Sequence, residues 1–294
     1  MKYATGVVLV LAAGVLWSLM GLMIRQIDVA GTWAVLFWRS IGVIPVLLAL
    51  IWWRSGGQLW SRLLGVGWPG VIGGVGLVLA FGGAIFAIQA TTVANAVFLF
   101  SASPFLAAVL GWLLLKEPVR RATWIAILLA GVGMYIMVRE GLAAGALAGN
   151  IAALLSALGF AGFTIALRWG KMADMMPAVV LGALFSIIAA GVVSSAIGTG
   201  VVVPVKDIAI SMAMGAVILA FGMALYTTGS TVIPAAELTL LSMVEVLLAP
   251  IWVWLFLGET ASSGTFLGGA ILMAAVAFNA LSGARRKPVA PIIP

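Results

Sequence analysis

The sequence predicts an all-α integral membrane protein of ten transmembrane helices, arranged as two inverted five-helix repeats. Three observations carry that prediction. Of the 294 residues, 64% are hydrophobic and 8% charged, against about 25% charged in a soluble domain. Such a chain cannot cover itself with a water-compatible surface. Its apolar segments also reach the ~20 residues that a helix needs to cross a bilayer. Finally, one phrase recurs: "FLAAVLGWLLLKEPVRRATW" (105–124) and "LLAPIWVWLFLGETASSGTF" (247–266) each run an apolar, tryptophan-bearing helix into a glutamate, a break and a new helix. The first break carries Lys116, Arg120 and Arg121; the second carries no cation.

The first span, 4–24, opens on "MKYATGVVLVLAAG", which has some signal-peptide character. Its apolar run continues through Trp17 to Ile24, longer than a signal core, so it reads as a membrane helix. The following spans are expected at 31–53, 65–89, 92–115, 122–138, 147–168, 177–197, 208–229, 232–257 and 264–283. Short loops separate them, many ending in Gly, Pro or a charge, as in "RQIDVAG", "KEPVRR" and "RWGKMADMMP". The spans leave no length for a soluble domain. The expected division is an N-terminal repeat over 1–143, a C-terminal repeat over 144–284 and a basic, Pro-rich tail over 285–294.

Ten spans put both termini on one side. That side receives eleven of the fifteen Lys and Arg residues, and the other receives Arg25, Arg139 and Lys206. The positive-inside rule places the termini in the cytoplasm. Within the repeat, Glu117 and Glu259 lie 142 positions apart, as do Trp112 and Trp254, and Thr123 and Thr265. Arg25 and Arg168 each close the first helix of a half. An odd number of spans per half flips the second copy. One break therefore faces the cytoplasm, where cations are favoured, and its copy faces outside; the glutamate is kept because its role is not topological. At helix ends, Glu117 and Glu259 are expected to accept backbone N–H groups of the next helix or to pair with arginine.

Cysteine and histidine are absent. That removes disulfides, thiolate nucleophiles, Cys/His zinc sites and imidazole catalysis. The dipeptide Gly170-Lys171 lacks the phosphate-loop pattern. Neither catalytic residues, nor a metal, nor a cofactor is expected, and the chain does not read as an enzyme. The net charge of +7 resides in short loops rather than in a stripe that would bind nucleic acid. The expected partners are a small-molecule substrate and the lipid bilayer, with a monomer as the simplest assembly. Inverted repeats are a construction principle of secondary transporters, whose substrate sits between the halves near the midplane.

The stretch "ATTVANAVFLFSASPFLAAVLGWLLLKEPVRRATWIAILLAGVGMYI" resembles the fourth and fifth helices of EamA-type members of the drug/metabolite transporter superfamily. "STVIPAAELTLLSMVEVLLAPIWVWLFLGETASSGTFLGGAILM" resembles the matching C-terminal pattern, with Glu245 where many members have Glu-Pro and Val246 in the place of that proline. "LFWRSIGVIPVLLAL" resembles the second helix in its lone arginine, Arg39. In general character the chain is similar to the YddG-like exporters of amino acids. The resemblance implies export of small metabolites from the cytoplasm across the cell (inner) membrane, amino acids foremost. Efflux of drugs or lipophilic cations by the same fold, driven by protons, is the alternative.

The candidate substrate cavity is built from Trp17, Ser18, Phe81, Phe86, Asn95, Phe98, Ser101, Phe160, Thr164, Tyr226, Ser242 and Glu245, on spans one, three, four, six, eight and nine. Aromatic walls with a few polar handles are what small-molecule sites generally present. A carboxylate within a span is costly and needs a cavity or a partner. Glu245 is thus either a substrate-amine contact or proton switch, or a protonated structural hydrogen-bond donor. Glu237 is a second charge candidate, as an entrance or interfacial residue. Arg39 cannot be deprotonated, so it meets either a substrate carboxylate or a structural partner. Pro104 and Pro250 are the hinge candidates, because interrupted helices at matching positions mark transporter sites. Gly70/Gly74 and Gly264/Gly268, in GxxxG spacing, are expected to let helices approach closely.

Overall fold

A computed structural model describes residues 1–143, 145–172 and 174–284. Arg285, Arg286, Lys287 and the rest of the predicted tail, and residue 144 at the predicted junction of the halves, lie outside the described residues. Ten helices are long and apolar enough to cross a membrane. They are α1 (Tyr3–Ile24), α2 (Thr32–Arg54), α3 (Gly67–Ala90), α4 (Val93–Phe100 and Ser103–Leu115), α5 (Arg121–Ala143), α6 (Leu147–Trp169), α7 (Met176–Ala196), α8 (Val205–Val232), α9 (Ala235–Leu257) and α10 (Ser263–Ala284). Each predicted span is present within a few residues, because hydrocarbon thickness fixes span length and the apolar run is the signal.

Three local features go beyond that reading. A six-residue helix, Leu59–Leu64, fills the loop before α3. Its Trp60 is exposed, as are Trp53 and Trp68 beside it, which suits a membrane–water boundary. Helix α4 is broken at Ser101–Ala102, immediately before Pro104, whose missing N–H is tolerated in a first turn. Helix α8 changes winding, with a π-helical segment over Met214–Phe221. Helix α9, in contrast, runs unbroken through Pro250. The interruption expected there is absent, so the two proline-bearing helices differ.

The repeat is visible in the packing. Helix α1 packs on α8 and α9, while α6 packs on α3 and α4, the same relation with the halves exchanged. Helix α2 faces α7, and α5 faces α10, each pairing with its own counterpart. Glycine makes the closest of these contacts. A Cβ on Gly159 of α6 would lie 2.6 Å from the carbonyl of Gly76 on α3, and one on Gly133 of α5 would lie 2.5 Å from that of Gly268 on α10. Gly74 meets Gly182 of α7, whereas Gly70 faces Val66 rather than another span. Lipid-facing surfaces carry exposed Leu, Ile, Val and Phe, while the backbone polar groups are satisfied within helices.

The recurring phrase folds identically at its two sites. Lys116 (φ 54°) and Gly258 (φ 67°) end α4 and α9 in the left-handed conformation. The next residue, Glu117 or Glu259, donates its backbone N–H six residues back, to Gly111 or Val253, at 3.2 Å in each case. This is the Schellman closure of a helix end.

Candidate functional site

The two glutamates lie at opposite ends of the bundle. Pro69 of α3 touches Gly170 just beyond α6, and Thr91 beyond α3 touches Gly149 of α6, so α3 and α6 are antiparallel. Glu117 pairs with Arg168 at the end that carries the N-terminus. Glu259 lies with Arg25 and Thr91 at the other end. Each glutamate pairs with the arginine that closes the first helix of the other half. Glu259 also accepts a backbone N–H, although from Val93 at the start of α4 and not from the next helix.

These contacts make one end a lock. Arg25 Nε lies 2.8 Å from Glu259 Oε2, tying α1 to α9. Arg25 Nη2 donates to the Thr91 carbonyl at 2.6 Å, and Glu259 Oε1 accepts from Val93 N at 2.6 Å, tying that pair to the α3–α4 junction. Beneath it, Asn95 donates to Asn150 of α6 and accepts from Thr265 of α10 at 3.5 Å. Asp207, fully buried at the start of α8, accepts the backbone N–H groups of Asp28, Val29 and Ala30 and holds the α1–α2 loop at this end. At the N-terminal end, the Arg168–Glu117 pair is half exposed. Among the described residues it has no bond to the α8–α9 junction that would match the lock.

Between the ends lies a cavity of about 540 Å³, within the range of small-molecule sites. Its lining reaches Leu167, Met175 and Thr239 toward the N-terminal end and stops at Ile88 and Ala96 below the lock. Trp17, Phe81, Ser101, Phe160, Thr164, Tyr226, Ser242 and Glu245 line it, as do Arg39 and Pro104. Trp17 and Tyr226 pack with ring centroids 5.3 Å apart, joining α1 to α8. Phe160 meets Phe100 at 5.6 Å. The Arg39 guanidinium lies over the Phe81 ring, 4.3 Å from its centroid. The Ser101, Thr164 and Ser242 hydroxyls donate to carbonyls of their own helices, which leaves their lone pairs as acceptors.

Four expected lining residues are placed elsewhere. Ser18 is buried between α1 and α9, where it accepts from Trp252 Nε1 at 2.8 Å. Asn95 belongs to the layer under the lock. Phe98 is buried against Gly269 of α10, and Phe86 points outward at 41% exposure. Each stands one or two residues from a lining position, which on a helix turns it to another face. Glu237 does not line the cavity; it accepts from the Tyr3 hydroxyl at the N-terminal end. The lining also takes in α2, α7 and α10 through Arg39, Val179 and Met273, beyond the six helices expected.

The described fold and site define a ten-helix membrane protein with a central amphipathic cavity barred at one end. Residues 4–139 match the model of the EamA-like transporter family. The chain is 27% identical over 210 residues to "Uncharacterized transporter YwfM" of Bacillus subtilis (strain 168), covering 68% of each chain. A solved crystal structure of another protein has the same fold, with a TM-score of 0.67 at 19% identity, over 97% of this chain and 98% of that one.

Proposed function

We propose that this chain is a secondary transporter of the EamA type, built on repeats 1–143 and 144–284, that exports small amphipathic metabolites from the cytoplasm by alternating access. Amino acids, neutral and aromatic ones foremost, are the substrate class, as in the YddG-like exporters it resembles. The membrane is the cell inner membrane, with both termini in the cytoplasm, and the solute moves down its own gradient.

One observation carries this reading. A cavity lies where the halves meet, and two repeat-related ion pairs guard its two ends unequally. Arg25–Glu259 bridges to the α3–α4 junction, whereas Arg168–Glu117 is half exposed. Exchanging the roles of the halves converts this arrangement into its mirror state, open to the other side. The lining supports the substrate class, since one cation, Arg39, and one acid, Glu245, stand among aromatic walls.

The test is uptake into liposomes holding purified protein, using labelled amino acids and cationic dyes with and without a pH gradient. Uptake of neutral amino acids without a pH gradient is the expected result. Movement of dyes alone would replace this substrate class with the alternative, lipophilic-cation efflux, and its dependence on the pH gradient would test proton coupling through Glu245 or Glu237.

A further inference from the structure

Arg39 is a buried cation that has no ion-pair partner among the described residues. Its side chain projects from α2 about two turns after Thr32, and the residue is 3% exposed. The three ion pairs among the described residues lie elsewhere. Its Nε and Nη2 have no hydrogen-bond acceptor, and neither does the buried Nε1 of Trp17 across the cavity lining. A guanidinium cannot shed its proton to escape this position. A charge left unpaired away from water is a standing cost that a bound counter-ion removes.

The surroundings hold these donors in place. Phe81 occupies the face of the guanidinium, and in-plane N–H groups remain available when a face is covered. Gly215 brings the π-helical segment of α8 against the Arg39 carbonyl, leaving no room for a Cβ. Such segments inside α-helices are frequent at functional sites. The Trp17 ring is seated on Gly222 and Tyr226.

We propose that Arg39 and the Trp17 indole N–H form a docking subsite for the carboxylate of the transported solute. The planar fork of arginine matches a carboxylate with two parallel bonds. Glu245, which lines the same cavity, would repel a dianion and suits an ammonium group, so the ligand is a zwitterion with an apolar side chain. The inference rests on the transport reading and adds to it the group that recognises the acid end.

The test compares L-phenylalanine with L-phenylalaninamide, which keeps the ring and the ammonium but lacks the carboxylate. In proteoliposomes the wild-type protein is expected to prefer the acid by roughly tenfold or more, the range of a charged hydrogen-bonded contact. Arg39→Gln is expected to erase that preference, and Arg39→Lys to restore part of it. Trp17→Phe, which keeps a ring and removes the N–H, is expected to raise KM several-fold for the acid and leave the amide unchanged. Equal handling of acid and amide by the wild type overturns the subsite and leaves the transporter reading intact. Wild-type discrimination by a folded Arg39→Gln protein also overturns it, making Arg39 a structural cation. If Arg39→Gln does not fold, an unchanged KM for the acid in Trp17→Phe overturns it instead. Failure to move any solute removes the transport reading, and the subsite falls with it.

Discussion

Arg25 Nε stands 2.8 Å from Glu259, and the repeat-related Arg168 pairs with Glu117 at the opposite end of the bundle. Each pair joins a residue of one half to a residue of the other, so neither half is complete alone. Among the described residues, only Arg25–Glu259 is also bonded to a junction between helices, that of α3 and α4. A charge-assisted contact of this kind contributes about 1.5–3 kcal/mol, which under the proposed alternating access would bias the balance between the two states by roughly ten- to a hundredfold.

Glu259→Gln is therefore expected to loosen the lock without unfolding the protein. The chain has no cysteine, so a single introduced thiol is a unique reporter. A cysteine at Ala96, at the cavity limit below the lock, is expected to react with a maleimide from the locked side at least about tenfold faster in the Glu259→Gln background. Unchanged reactivity would make the pair a structural tie.

The matching helix caps carry unequal strain. Gly258 takes its left-handed conformation at little cost, whereas Lys116 holds the same conformation with a side chain. Gly258→Val is expected to lower stability by about 1–2 kcal/mol. Lys116→Gly is expected to be neutral or to raise it by up to about 1 kcal/mol. Thermal unfolding in detergent separates the two, and equal losses from both would contradict the assignment.

Gly222 is the seat of the Trp17 ring: a Cβ there would stand 2.5 Å from Nε1. Gly222→Ala is expected to displace the indole and raise the KM for solute several-fold, with the melting temperature nearly unchanged. The ring partner Tyr226 offers a control, since Tyr226→Phe keeps the tilted ring contact and is expected to leave KM closer to wild type.

Glu245 separates two energy sources. As a contact for an ammonium group, its replacement in Glu245→Gln is expected to weaken uptake of neutral amino acids by about tenfold. The dependence of uptake on a pH gradient is expected to stay as it was. A wild-type protein that accumulates solute against its gradient when protons flow, with a Glu245→Gln variant that only equilibrates it, would establish proton coupling instead.

The spans were legible because a bilayer imposes length and apolarity on each helix separately. The repeat was legible because Glu117 and Glu259 kept their spacing from Arg25 and Arg168 to within one residue, although the crossing of partners between halves needed the folded molecule. Facing was not legible: Phe81 meets the Arg39 guanidinium and Phe86 points outward, five residues along the same uniformly apolar helix. Ser18 read as a cavity handle because its acceptor role toward Trp252 joins residues 234 positions apart. Asp207 was passed over for a related reason. An acid in a first turn reads as a cap for its own helix, yet it holds the loop of another pair of helices. The π-helical winding of α8 left no trace beyond the glycines Gly215 and Gly222 at its edges.

The claim that the two halves exchange roles about one cavity is tested most directly by paired distances. Spin labels at Ala148 and Thr260 span the locked end, and labels at the repeat-related Thr5 and Pro118 span the other; all four positions are exposed. Pulsed electron resonance in lipid, with and without saturating solute, reports both distances. If the halves exchange roles, one pair lengthens as the other shortens. Two distances that stay fixed, or that rise and fall together, would contradict it.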